Sequence, residues 1–206
     1  MASNDFAFNN FEKNISSVED LLKLHVLLTK DYPLLKEQSD ELLRAIIVLT
    51  VSALDNYLHD FYRIEIVESY LGKGNFNVKF DNIKISIKVL QDLDSSFSEA
   101  ERRNFLTNEL RKMQKTETFQ SHKSIENIFK NIEVKNIWLK LETLIGIKAQ
   151  KIKDELGLII DRRNKISHES DWDYFSQKKN VIEFSEVQNV VNFIRQFVEG
   201  IEAIRP

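Results

Sequence analysis

Apolar residues recur at three- and four-residue steps along most of this chain. Phe11, Ile15, Val18, Leu21, Leu22 and His25 form one such stripe, and Pro33 closes it. A second stripe, from about Glu37 to Leu71, runs through Leu42, Leu43, Ile46, Ile47, Leu54, Leu58, Phe61 and Val67. Its middle is apolar almost all round, the pattern of a helix at the centre of a bundle. "GKGN" (Gly72–Asn75) then interrupts it. Helical spacing returns over Phe97–Lys115, over Ile125–Ile132, and from Ile137 to about Lys165. The closing helix carries Val187, Val190, Val191, Ile194, Phe197, Val198, Ile201 and Ile204, with Ser185 and Gln188 as its capping box.

One segment departs from this rhythm. Ile83, Ile85, Ile87 and Val89 alternate as a strand would, yet no second strand offers itself as a partner, so Phe80–Asp94 reads as extended or irregular. The expectation is an all-α fold. It comprises one domain over residues 1–206, in which residues 1–35 form an N-terminal helical extension packed on the rest. Five glycines and two prolines in 206 residues leave few turns, which agrees with long helices.

Composition narrows the function. Hydrophobic residues at 42% and charged residues at 30% belong to a folded chain rather than a disordered one. A net charge of -3 is not the footprint of a protein that coats nucleic acid, so any such contact has to be local. The absence of cysteine excludes disulfides and thiolate metal sites and makes a reducing cytoplasm the expected location. "MASNDFAFNNFEK" lacks the basic and apolar regions of a signal peptide. The longest apolar run, Ala45–Leu54, is well short of the roughly 20 residues a membrane span needs, so no membrane association is expected.

The candidate chemistry sits in "RRNKISHESD" (Arg162–Asp171), at the end of an apolar, helix-like segment. On a helix, residues turn by about 100° each, so Asn164 and His168 share a face, and Arg163 and Ser167 form a second such pair. Arg163 and His168, five apart, diverge by about 140°. They can serve one reacting group only if the helix ends or bends near the histidine, or if two copies meet. The residue types suit phosphodiester chemistry. Histidine exchanges a proton near neutrality, arginine's planar fork matches phosphate oxygens, and a neighbouring amide can set the imidazole tautomer. The competing reading is structural, because basic residues in a last helical turn also favour the helix dipole. Glu169, Asp171 and Asp173 have no imidazole partner at ligand spacing, so neither a metal nor another cofactor is expected.

"DRRNKISHESD" resembles the signature of HEPN domains, in which an arginine, followed by a polar residue that is often asparagine, is separated from a histidine by four to six residues. Arg163, Asn164 and His168 match it. "SALDNYLHDF" (Ser52–Phe61), "KTETFQSHKSIENIF" (Lys115–Phe129) and "NIWLKLETLIG" (Asn136–Gly146) resemble, in order, the RiboL-PSP subgroup, so the likeness covers most of the chain from about Ser39 onward. The resemblance implies a HEPN-type bundle of long antiparallel helices. It also implies a homodimer with a composite cleft and metal-independent cleavage of RNA. In that chemistry His168 is the base toward the ribose 2′-hydroxyl, Arg163 stabilises the phosphate, and Asn164 orients His168. Such proteins act as toxins of toxin–antitoxin pairs or in phage defence, which implies an antitoxin or defence partner. Some are instead non-catalytic dimeric scaffolds that bind RNA or nucleotides. One branch carries a tyrosine two residues after the histidine that can be nucleotidylated. Ser170 stands there in this chain and the next tyrosine is Tyr174, so that regulation is not implied.

Arg162, Lys165 and Ser167 are further candidates for substrate contact. His59 lies four residues after Asp55 and four before Arg63, which reads as a surface ion-pair ladder or, for Asp55 and His59, as a place beside the site. Asp161 reads as salt-bridge scaffolding. Phe119, flanked by Lys115, Gln120, His122 and Lys123, either stacks a base or docks into the core, with docking favoured. Trp138 reads as core, His25 as a packed histidine with a satisfied nitrogen, and Trp172 as a dimer anchor or a lid.

Overall fold

A helix that is apolar on nearly every side has to be covered on several sides, and the computed structural model shows how this is done. It describes residues 6–83, 93 and 97–205. α2 (Lys36–Tyr70) lies at the centre, with Ile46, Ile47, Val51, Leu54, Leu58 and Phe61 fully buried. With the turn before it, α2 is long and apolar enough to cross a membrane by length and composition alone. More than half of its most apolar window is nevertheless buried inside the bundle, as befits a core helix.

α1 (Phe6–Asp31) buries one stripe, Ala7, Phe11, Ile15, Val18, Leu22 and His25, along α2. A 3₁₀ turn at Pro33–Leu35 reverses the chain, because proline at the turn's start fixes its backbone and donates no hydrogen bond. The hairpin closes on a buried contact in which Ser39 Oγ lies 2.6 Å from His25 Nδ1. The imidazole also stacks on Phe184, ring centroids 5.5 Å apart, so His25 is a packed histidine with a satisfied nitrogen.

α3 (Glu99–Met113) begins with a capping box between Ser98 and Glu101 and is tied to α2 by Arg103 on Glu68, Nε to Oε1 2.7 Å. α4 (His122–Asn131) and α5 (Ile137–Ile145) follow, with Trp138 buried on Phe197. The sequence pattern predicts a single helix from Ile137 to about Lys165. Instead the chain breaks at Gly146, whose φ of 75° is left-handed and caps α5, and α6 (Ala149–Glu169) starts afresh. Glycine adopts that conformation without a Cβ penalty, and apolar periodicity cannot register the reversal.

α6 packs against α2, and its C-terminal end lies beside the N-terminal part of α2, so the two run antiparallel. A short hairpin follows, β1 (Trp172–Asp173) pairing antiparallel with β2 (Lys178–Lys179), with Trp172 opposite Lys179. α7 (Phe184–Glu202) then runs alongside α2, where Tyr57 Oη donates to Glu202 Oε1 at 2.6 Å. The capping box expected from Ser185 and Gln188 does not form. The helix has already started at Phe184, with Glu183 at the cap, which leaves Ser185 inside the first turn.

The fold is all-α apart from the small hairpin. One contiguous core joins α1 through α7. The alternating stretch within Phe80–Asp94 lies largely outside the described residues, of which Phe80–Asn82 forms a 3₁₀ turn.

Candidate functional site

α6 presents the motif as unbroken helix. Its buried stripe is Ile152, Leu156 and Ile159, and the next position on that stripe is Arg163, which is half-buried. His168 lies on a different stripe with Asn164 and is exposed in the last turn. The helix does not kink between them, so the divergence of about 140° between Arg163 and His168 holds in the folded chain. No hydrogen bond joins Asn164 to His168 among the described residues.

The helix stops one residue beyond His168. Ser170 and Asp171 both adopt left-handed backbone, φ 53° and 60°, and the Asp171 N–H donates to the Lys165 carbonyl at 3.0 Å. Left-handed backbone costs a non-glycine residue roughly 1–2 kcal/mol. Asp171 recovers this through its side chain, which is completely buried. Its Oδ2 accepts from Arg44 Nε at 2.8 Å and its Oδ1 lies 2.9 Å from Arg162 Nη1. Asn180 Nδ2 donates to Asp171 Oδ1 at 3.1 Å and to its carbonyl at 2.9 Å. Arg44 Nη2 donates to the Asn180 carbonyl at 2.6 Å, and Arg162 Nη2 donates to the Val181 carbonyl at 2.9 Å. A buried carboxylate is stable only when charged and dipolar partners replace water, and this one has them on several sides. The knot pins the hairpin to both α2 and α6.

Beyond the knot, Asp173 organises the hairpin turn. Its Oδ1 accepts the Ser176 N–H at 2.6 Å, and the Gln177 N–H donates to its carbonyl at 3.0 Å. The Ser176 hydrogen bonds hold the Asp173 carboxyl below the usual aspartate value, with a smaller contribution from the charge of Lys165.

The remaining candidates divide into two groups. Arg162, Asn164 and Lys165 line one groove of about 580 Å³ with Leu158, Asp161, Glu169 and Glu186. Ser167 is exposed on the same helix. Asp55 and His59 lie on α2. They lie 11 and 15 residues along α2 from Arg44, about 16 and 22 Å at helical rise. There Asp55 Oδ1 accepts the Phe119 N–H at 2.7 Å, and the His59 ring lies 4.3 Å from that of Phe119. Phe119 is therefore docked. The ladder reaches only its first rung, Asp55 to His59 at 3.7 Å, since Arg63 turns to Asp60 at 2.6 Å. Asp161 is exposed and makes no ion pair among the described residues; the scaffolding carboxylate is Asp171. No local signal identified Asp171, because one of its arginines is 127 residues away.

The model of the RiboL-PSP-HEPN family matches residues 9–204, and the chain belongs to that family. HEPN domains are typically ribonucleases or nucleotide-binding modules. No curated protein and no solved structure matches the chain.

Proposed function

We propose that this protein is a metal-independent endoribonuclease that works as a homodimer. The observation that carries the reading is the placement of Arg163 and His168. One is half-buried and the other exposed, on faces of one unbroken helix that point apart, at an end where the chain leaves the helix through two left-handed residues. Residues that diverge on one helix converge with their counterparts across a two-fold axis, so a second copy completes the site.

The reaction follows from the residue chemistry. His168 takes the proton of a ribose 2′-hydroxyl, and the freed oxygen attacks the adjacent phosphorus. Arg163 stabilises the charge that builds on the phosphate oxygens. The bond to the 5′ oxygen breaks, and the imidazolium of the second copy protonates that leaving group. The products are a 2′,3′-cyclic phosphate and a 5′-hydroxyl, and DNA, lacking the 2′-hydroxyl, is not cut. Asn164 orients His168 once the cleft is closed, and Arg162, Lys165 and Ser167 contact the RNA backbone. The setting is a cytoplasmic toxin–antitoxin or phage-defence system with a protein partner that restrains or triggers the enzyme, the whole chain acting as one domain.

The test is incubation of wild type and His168→Ala with labelled RNA in EDTA. Cleavage by wild type alone, leaving cyclic-phosphate ends, is the expected result. A confirmed dimer in which neither form cuts any RNA sinks the enzyme reading. It would favour a dimeric RNA-binding scaffold instead, a reading that the half-buried position of Arg163 also suits.

A further inference from the structure

The hairpin beyond the motif helix displays aromatic rings to solvent. Trp172 is 52% exposed, Tyr174 89% and Phe175 93%, with Val181 also exposed at its base. Single exposed apolar residues are ordinary, but four within ten residues form a patch with a use. The patch is not a floppy loop tip. Asp173 ties the turn to Ser176, and the buried Asp171 locks its base to α2 and α6. Tyr174 and Phe175 stand edge to face, centroids 5.8 Å apart.

Two further facts say what such a patch meets. The first is position. Tyr174 is six positions beyond His168, which caps their separation at about 21 Å, within the reach of a short single strand. The Asp171 N–H, at the base of the hairpin, donates to the Lys165 carbonyl of the motif helix at 3.0 Å. The second is charge. Of the five lysines and arginines in residues 162–180, Arg162 is paired with Asp171 and Lys179 with Glu41, whereas Arg163, Lys165 and Lys178 make no ion pair among the described residues. A polyanion with flat, apolar base faces meets both the cations and the rings.

We propose that the Trp172–Val181 hairpin is a base-stacking platform for single-stranded RNA, leading the strand to the His168 end of α6. Tyr174 and Phe175 take base faces, and Lys165 and Lys178 take the flanking phosphates. The platform rests on the reading that the motif acts on RNA, yet it does not require that cleavage occurs. Stacking of this kind is tolerant of sequence, because every base has a face to offer. Duplex RNA keeps its bases stacked on one another, so it is the weaker ligand.

The experiment measures fluorescence anisotropy of a dye-labelled, fully 2′-O-methylated RNA, which cannot be cleaved, as single strand and as duplex. The proteins are wild type, Tyr174→Ala/Phe175→Ala and His168→Ala. The rings are exposed and outside the core, so the double variant folds, and its thermal melt checks this. The expected result is single-strand binding by wild type and His168→Ala, weakened at least about fivefold in the double variant. Equal affinity of the double variant, or failure of wild type to bind, overturns the platform. Loss of the dimer by light scattering in the double variant also overturns it, since the hairpin would then be a contact between copies. The cleavage assay separates the two readings. Hairpin-dependent binding without cleavage keeps the platform and removes the nuclease, whereas cleavage with unaltered binding by the double variant does the reverse.

Discussion

Arg44 and Asp171 stand 127 residues apart in the chain, and their side chains meet in the interior with Nε 2.8 Å from Oδ2. Arg162 approaches the other carboxylate oxygen, so one buried anion joins the first half of the chain to the end of the motif helix.

Removing that anion is expected to be costly. Asp171→Ala leaves Arg44 with a buried charge that has lost its main partner, and breaking a buried ion pair typically costs about 3–5 kcal/mol. Urea unfolding followed by circular dichroism reads this as a lower midpoint at unchanged slope. A loss below about 1 kcal/mol would mean that water substitutes for the carboxylate and that the knot contributes little to stability.

Substitution at the motif is expected to have the opposite profile. His168 is exposed, so His168→Ala changes stability by no more than about 0.5 kcal/mol. Cleavage of RNA falls about 10²–10⁴-fold, the usual contribution of a general acid–base group. Arg163→Lys keeps the charge and loses the planar fork, so it too lowers cleavage. Wild-type rates in His168→Ala would end the proposed chemistry.

The break between α5 and α6 makes a separate prediction. Gly146 has φ 75°, and a Cβ placed there meets nothing within 4 Å, so Gly146→Ala is opposed by backbone conformation alone. The expected loss is about 1–2 kcal/mol, or a fall in Tm of about 2–8 °C for a domain of this size. An unchanged or raised Tm would show that α5 and α6 can join into one helix without cost.

The hairpin turn should depend on pH in a known direction. The Asp173 carboxyl is held below the ordinary aspartate value of 3.8 by its hydrogen bonds to Ser176. A depressed value in the folded state means stability that is present above the unfolded value and lost as pH falls through the folded one. The Ser176 amide should therefore stay protected from hydrogen exchange at neutral pH and lose protection only in acid below about 3.8. Loss of protection already near neutral pH would show that the turn does not depend on the Asp173 carboxylate.

Asp55 offers a test of which helix face matters. Its carboxylate holds the Phe119 N–H, so Asp55→Ala should cost about 1–2 kcal/mol and loosen the chain before α4. Cleavage per folded molecule is expected to stay near wild type, because this carboxylate is already engaged by the Phe119 N–H. A large loss of activity at full folding would place Asp55 in the proposed cleft.

Most helices were legible in the chain because burial of one stripe per helix leaves a three- and four-residue rhythm, as in Phe11, Ile15, Val18 and Leu22. Their boundaries were less so. Gly146 is one residue inside an apolar pattern that continues on both sides, and Ser185 resembles a cap that the docking of Phe184 makes redundant. The motif was legible for a different reason: Arg163, Asn164 and His168 are close in sequence and their chemistry is distinctive.

By itself, then, the sequence determined the helical class, the central position of α2 and the residues to which phosphodiester chemistry is proposed. Each of these depends on local periodicity or on residue type. Only the tertiary structure decided that Arg162 is held by Asp171, that Asp55 and His59 contact Phe119, and that the base of the aromatic hairpin is tied to α2 and α6. Those outcomes depend on pairs such as Arg44 and Asp171, whose attraction exists only once the bundle has brought them together and excluded water from between them.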